Sequence, residues 1–148
     1  MPLVRTRLSL VRTGRWRPEY ELREDGRPVG RLLLGVRPGS PAATASVGDR
    51  TWTLTPGSCR SSVDATAADG SVGAALRDGE ITLGDATRPT VTWRRNRTVG
   101  ACAELTAHGC QATLRIRRRT APGLDVAIDG DLLERELLVL LAGYDLLR

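Results

Sequence analysis

The side chains in this sequence that could do chemistry are arginines in two short clusters, within 94–97 and 115–119. A guanidinium donates paired hydrogen bonds that match phosphate oxygens. Several guanidinium groups on one surface could hold an anionic lipid headgroup, a polyphosphate or a nucleic acid backbone. The residues predicted to bind an anion are Arg94, Arg95, Arg97, Arg115, Arg117 and Arg119.

The composition supplies an alternative explanation for these clusters. All 22 basic side chains are arginine, lysine and phenylalanine are absent, and 17 acids leave a formal charge of +5. A genome rich in G and C would replace lysine by arginine and avoid phenylalanine everywhere, so a merely solvated basic surface stays open beside a specific anion site. Hydrophobic residues at 41% exclude a disordered tail. Aromatic residues make up only 3% of the chain, too few to form a surface on which nucleic acid bases stack, so we expect no nucleic acid partner.

Catalytic and metal-binding patterns are not apparent in the sequence. The one histidine, His108, precedes Gly109 in an apparent turn, with no serine, cysteine or acid motif beside it. The sequence contains no nucleophile-elbow motif. It also contains no phosphate-binding loop, because the glycine-containing segment 70–73 is too short and lies between strands. We therefore predict no catalytic residue, no metal site and no cofactor.

The three cysteines, Cys59, Cys102 and Cys110, have no metal-ligand spacing. A two-residue turn at 108–109 would pair Ala107 with Cys110 and place Cys102 opposite Arg115, so the thiols of that hairpin would not face each other. We expect reduced, mostly buried thiols. Because the first residues also lack the apolar run of a signal peptide, we expect a cytoplasmic protein, able to associate with the membrane surface.

Short alternating segments separated by turn signals dominate the chain up to about residue 129. The segments 51–55, 80–83 and 113–117 alternate between apolar and polar residues, as half-buried antiparallel strands do. Turn pairs such as Asp25-Gly26 and Asp78-Gly79 recur between them and tolerate the positive φ of tight hairpins. This spacing predicts about ten to twelve strands in a sandwich or barrel.

The pattern changes after Asp131, where Glu134 completes what resembles a capping box before a leucine-rich segment. We predict a helix over 131–147 that is apolar on every side in its middle, so it must be enclosed. Its apolar run is too short to cross about 30 Å of hydrocarbon and contains Asp145. A closed barrel would enclose the helix and lose its own strand edges, although a peripheral helix packed on a sheet and a membrane tail stay as alternatives.

The predicted fold is therefore mainly β, a closed antiparallel barrel of about ten to twelve strands around a central apolar C-terminal α-helix. We expect one domain over 1–148, with strands within 1–130. The segments that carry a family likeness are, in order along the chain, 20–32, 48–54, 69–73, 79–83 and 137–147. This layout resembles the tubby C-terminal-like superfamily, which includes tubby proteins, phospholipid scramblases and LURP-one-related proteins.

The resemblance implies a binding module and not an enzyme. Scramblases carry an acid-rich loop before the last helix, but the corresponding segment 125–131 lacks the dense oxygen ligands that calcium needs. Tubby proteins bind phosphoinositide headgroups through paired basic side chains, whose positions do not align to individual residues here. We predict a non-catalytic barrel that binds an anionic lipid or another phosphate-bearing ligand. The alternative is a structural or protein-interaction domain, with an unknown protein partner and no small ligand.

Overall fold

The computed structural model describes residues 5–14, 16, 18–35, 42–57, 62–84, 91–96, 102–107, 110–117, 123–130 and 134–147. For residues 95, 96, 102, 116 and 117 it describes the backbone alone. The strands are β1 (Arg5–Arg12), β2 (Glu19–Glu24), β3 (Arg27–Leu34), β4 (Ala43–Val47), β5 (Arg50–Pro56), β6 (Val63–Ala67), β7 (Val72–Arg77), β8 (Glu80–Leu83), β9 (Val91–Asn96), β10 (Cys102–Ala107), β11 (Cys110–Arg117) and β12 (Gly123–Asp129). One helix, α1 (Arg135–Leu147), follows them.

The twelve strands form a closed antiparallel barrel in which each strand pairs with its neighbour along the chain. Pairing of β1 with β12, for example Leu8 opposite Val126, closes the barrel. The predicted architecture is confirmed. The predicted register of the β10–β11 hairpin is also confirmed, with Ala107 opposite Cys110 and Cys102 opposite Arg115.

Because the strands alternate in direction, the connections between them lie alternately at two rims of the barrel. We call the lower rim the one where β1 and α1 begin, and the upper rim the one where β1 ends. Asp25-Gly26 forms a turn at the lower rim, and Asp78-Gly79 forms one at the upper rim. All four residues have φ between 52° and 79°, as the predicted hairpin turns require.

Alternation along the strands separates the core from the outer surface. On β5, Trp52 and Leu54 are buried while the threonines between and beside them are exposed. The same period places Leu8 and Leu10 of β1 inside, with Arg5 and Arg7 exposed outside. Among the described residues, the buried side chains of the strands are therefore apolar, and the outer face carries the polar chemistry.

The helix lies inside this barrel, as its all-round apolar pattern predicts. Every residue from Leu137 to Asp145 is buried. Within the described residues, the structure has no helix long and apolar enough to span a bilayer. The central helix therefore completes the core, and burying each of its leucines contributes roughly 1.5–3 kcal/mol.

The helix is not centred in the barrel. Its backbone lies closest to β3 and β4, and the inner residues of β4 are the small side chains of Ala43 and Ala45. A Cβ atom added at Gly143 would come within 2.9 Å of Leu10 Cδ2 on β1 and 3.3 Å of Leu124 Cδ1 on β12. Glycine is therefore the residue that fits where the helix meets these leucines.

The predicted start of the helix at residue 131 is wrong, because α1 begins at Arg135. Glu134 has a φ of 56°, outside the right-handed helical region, and its carbonyl accepts the first helical hydrogen bond from Leu138 N at 3.0 Å. The Glu134 carboxylate lies 3.1 Å from an Arg50 guanidinium nitrogen and does not complete a capping box. Asp131 lies outside the described residues.

Candidate functional site

The six predicted anion-binding arginines fall on or beside two strands. Arg94 is exposed on β9 and Arg115 is exposed on β11. The backbones of Arg95 and Arg117 belong to the same two strands, but their side chains lie outside the described part of the structure. Arg97 and Arg119 lie outside the described residues altogether.

The structure places Arg94 and Arg115 on the same outer face without joining them in one site. Strand β10 runs between them, and its Glu104 lies directly opposite Arg94. Arg115 lies opposite Cys102 on one side and Asp125 on the other. Cross-strand pairing of opposite charges stabilises a sheet without any ligand. Both arginines therefore have an acid opposite them on a neighbouring strand, and Arg115 differs from Arg94 in that it lines the groove described next.

Arg115 lines a groove of about 690 Å³ that runs over β11, β12 and β1 on the outer wall. The groove is lined by Arg5, Arg7, Leu8, Ser9, Asp25, Thr113, Arg115, Asp125, Val126 and Ala127. Small side chains, Ala127 and Thr113, lie opposite Arg7 along one row of the sheet. The depression exists because these short side chains leave space between the longer arginines.

Arg7 and Arg115 stand on opposite sides of this groove. At about 4.8 Å between strands and about 3.3 Å per residue, their Cα atoms lie about 12 Å apart. Among the residues that the structure describes, no carboxylate pairs with either guanidinium. Arg5, by contrast, is held 3.2 Å from Asp129. Two long exposed side chains thus retain their charge-assisted hydrogen-bonding capacity across one cavity.

Two carboxylates moderate the charge of the groove. Asp125 lies between the two arginines on β12, and Asp25 lies in the β2–β3 turn. Because Asp129 pairs with Arg5, the remaining arginines, Arg7 and Arg115, are balanced in formal charge by the two aspartates. An anionic group would therefore meet both hydrogen-bond donors and acceptors, a combination that suits a phosphate attached to a hydroxylated skeleton better than a bare polyanion.

The sequence analysis did not place Arg7 in the site. The signal was present, because alternation put Arg5 and Arg7 on the outer face of β1. Only closure of the barrel brings β1 beside β12 and its neighbour β11, more than a hundred residues along the chain. Sequence clusters can identify neighbours on one strand, but not this juxtaposition.

Among the described residues, the interior contains one buried carboxylate. Asp145 of α1 is 4% exposed, and its Oδ2 accepts a hydrogen bond from Trp93 Nε1 at 2.9 Å. This contact fixes the rotation and depth of the helix against β9. Its enclosed position gives it a structural role, since a buried carboxylate needs donors.

Metal binding has no geometric support in the described part of the chain. No three histidine, cysteine, aspartate or glutamate side chains there are grouped so as to hold an ion. Comparison with protein-family models, with curated proteins and with solved structures found no match to this chain.

Proposed function

We propose that this protein is a non-catalytic binding barrel that takes a phosphate-bearing ligand in the groove between Arg7 and Arg115. The observation that carries the proposal is the pair of exposed arginines, without a described carboxylate partner, on either side of a 690 Å³ cavity. Guanidinium forks recognise phosphate oxygens with paired, charge-assisted hydrogen bonds. A phospholipid headgroup and a small organic phosphate share this chemistry.

The carboxylates refine the class of ligand. Asp25 can accept hydrogen bonds from hydroxyl groups, and the carboxylates of the lining would repel the repeated charges of a nucleic acid backbone. The hydroxyl groups of Ser9 and Thr113 add further donors and acceptors to the lining. A phosphorylated polyol fits this set of groups. Neither histidine nor cysteine is among the lining residues, which favours binding over catalysis.

We also propose that the chain belongs with the tubby C-terminal-like superfamily and acts at the cytoplasmic side of a membrane. The order of its elements supports this placement, since twelve strands close around one C-terminal helix. The lining arginines offer the chemistry that an anionic headgroup requires.

Isothermal titration with glycerol phosphate and with inorganic phosphate tests the proposed site in solution, and vesicles of phosphatidylcholine with phosphatidic acid test the lipid source. Arg7→Gln and Arg115→Gln should each weaken binding about tenfold, because a charged hydrogen bond contributes about 1.5–3 kcal/mol. Arg94→Gln is the matched control, since Arg94 is equally exposed but does not line the groove.

Binding to the small phosphate would assign a soluble ligand, and binding only to vesicles would assign a lipid headgroup. Equal losses in all three variants would contradict the groove and indicate diffuse attraction to a basic surface. If the wild-type protein bound neither the small phosphates nor the vesicles, that result would overturn the proposal and favour the protein-interaction alternative.

A further inference from the structure

The charged residues of the groove alternate in sign across the outer wall. In the order β2–β3 turn, β1, β12 and β11, the groove presents Asp25, Arg7, Asp125 and Arg115. These four formal charges cancel. A phosphate monoester brings a charge of about −1.5 to −2 at pH 7 to this surface. Its binding would leave the groove with an excess of negative charge, unless the ligand also carries a cation.

Asp25 is held in place by the turn on which it lies. Strands β2 and β3 pair as far as Glu24 and Arg27, so the turn has only two residues. Its φ angles, 52° at Asp25 and 79° at Gly26, are typical of a tight type I′ hairpin. The Glu24 carboxylate, one residue before, accepts hydrogen bonds from Arg135 Nη2 at 2.9 and 3.1 Å. The turn is therefore fixed at its base to the start of the helix.

The Asp25 carboxylate lies at one end of the groove. Leu8 on β1 is opposite Glu24 on β2, so Asp25 follows beside Arg7. Its side chain is exposed, and among the described residues no guanidinium lies within ion-pair distance of it. A ligand that reaches this end of the groove therefore meets a carboxylate next to one of the two phosphate-binding arginines.

The spacing of these groups suits a small ligand. Asp25 and Arg7 belong to neighbouring strands, whose backbones lie about 5 Å apart. On the other side of Arg7, the short side chains of Ala127 and Thr113 leave the space in which a phosphate would lie. A molecule in which a short carbon chain joins a cation to a phosphate can therefore contact Asp25 and the arginines together.

An ammonium group compensates Asp25 better than a hydroxyl group does. Both groups donate hydrogen bonds to a carboxylate, but only the ammonium adds attraction between opposite charges. A ligand that covers Asp25 without supplying a cation removes part of the hydration of the carboxylate and replaces it incompletely. A site that contains such a group discriminates against ligands that leave it unpaired.

We propose that the groove selects phosphate esters that carry an ammonium group, with the phosphate between Arg7 and Arg115 and the ammonium at Asp25. This inference rests on the proposed function, and it narrows the ligand group that faces Asp25 from a hydroxyl to an ammonium. A free phosphorylated amine and an aminated phospholipid headgroup share this chemistry.

Isothermal titration with phosphoethanolamine and with glycerol phosphate tests the selection, because the two probes share a phosphate and differ in the ammonium group. The wild-type protein should bind phosphoethanolamine about tenfold more tightly, as one charged hydrogen bond implies. Asp25→Asn should bind the two probes equally. Asparagine tolerates the positive φ of this turn, so the variant should remain folded.

Asp78→Asn is the matched control. Asp78 has the same φ of 52° in the equivalent Asp-Gly turn at the upper rim, and it does not line the groove. This variant should keep the wild-type preference for phosphoethanolamine. An equal loss of preference in both variants would overturn the inference, because the selection would then reflect the total charge of the protein and not a contact at Asp25.

The remaining outcomes separate failure of this inference from failure of the groove. If the wild type binds both probes equally and Arg7→Gln weakens both, the groove stands and the ammonium selection is wrong. If neither probe binds, the proposed function fails and this inference fails with it.

Vesicles of phosphatidylcholine, with or without phosphatidylethanolamine, distinguish the two sources of the ligand. Asp25-dependent binding to the mixed vesicles would assign a lipid headgroup. Asp25-dependent binding to phosphoethanolamine without vesicle binding would assign a soluble phosphorylated amine.

Discussion

Among the described residues, the two rims of the barrel use arginine differently. At the lower rim Arg135 forks onto the Glu24 carboxylate at 2.9 and 3.1 Å, and Arg50 lies 3.1 Å from Glu134 beside the start of the helix. Near the upper rim Arg12 Nε donates to the nearby Gly14 carbonyl at 3.3 Å, and Arg77 lies 3.0 Å from Asp64 of the adjacent strand. The comparison teaches that arginine ties the helix segment to the barrel wall at the lower rim, whereas its described contacts near the upper rim stay within the wall.

The central helix reinforces this contrast. Glu136 lies in its first turn at the lower rim, where the positive end of the helix dipole favours an acid. Over Arg135–Leu147 there is no basic residue in the last turn, which points toward the upper rim. The negative end of the helix dipole is therefore directed toward the upper rim.

The largest expected effect comes from removing the element on which both rims depend. Leu138→Asp places a charge at a fully buried position on the helix and should cost at least about 4 kcal/mol, enough to prevent folding. Leu147→Asp is the matched control, because Leu147 is only partly buried at the end of the helix. Circular dichroism and urea titration would measure both. A well-folded Leu138→Asp protein would contradict a helix inside the barrel.

A smaller effect distinguishes the stability roles of the two rims. Arg135→Ala breaks the paired hydrogen bonds to Glu24, where both side chains are about one-third exposed, and should lower the free energy of unfolding by about 1 kcal/mol after allowance for solvent screening. Added salt should reduce this difference. Urea titrations at two salt concentrations would measure it.

Arg12→Ala at the upper rim is the comparison variant, because its described hydrogen bond joins only a nearby backbone carbonyl. Its effect on unfolding should stay within about 0.5 kcal/mol. Equal destabilisation by the two changes would contradict the distinction between the rims, since arginine would then contribute equally to stability at both.

The architecture was predictable because its signals are local and repeated. Alternation over segments such as 51–55 places every second side chain inside, and an all-round apolar helix must be enclosed. The helix start was not predictable in the same way. The spacing of Asp131 and Glu134 suits a capping box, but Arg50, distant in sequence, holds the Glu134 carboxylate.

Only part of the candidate site could be predicted from the sequence, for a related reason. Arg115 stands out within a cluster on one strand, whereas Arg7 reaches the same groove only through closure of β1 on β12. Composition could not reveal this pair, because it counts arginines without assigning them to strands that become neighbours in the barrel.

The smallest expected effect concerns one turn at the lower rim. Asp69 Oδ1 accepts hydrogen bonds from Ser71 Oγ at 2.6 Å and from Ser71 N at 2.9 Å, which lower the pKa of Asp69 below its ordinary value of 3.8. The resulting stabilisation is present above the ordinary pKa and is lost as the pH falls through the lowered folded-state pKa. The contribution is slight, because Asp69 is exposed.

Ser71→Ala removes the larger of these two contacts and keeps the backbone donor, so the pKa of Asp69 should rise part of the way toward 3.8. Ser71→Thr retains a hydroxyl group and should keep the lowered value. Carboxyl carbon shifts followed by NMR through an acid titration would measure both. An unchanged pKa in Ser71→Ala would mean that the backbone amide alone holds the carboxylate. If the prediction holds, Asp69 keeps its negative charge to a lower pH than an isolated carboxylate does, so this turn of the lower rim stays anionic until the pH falls through the lowered pKa.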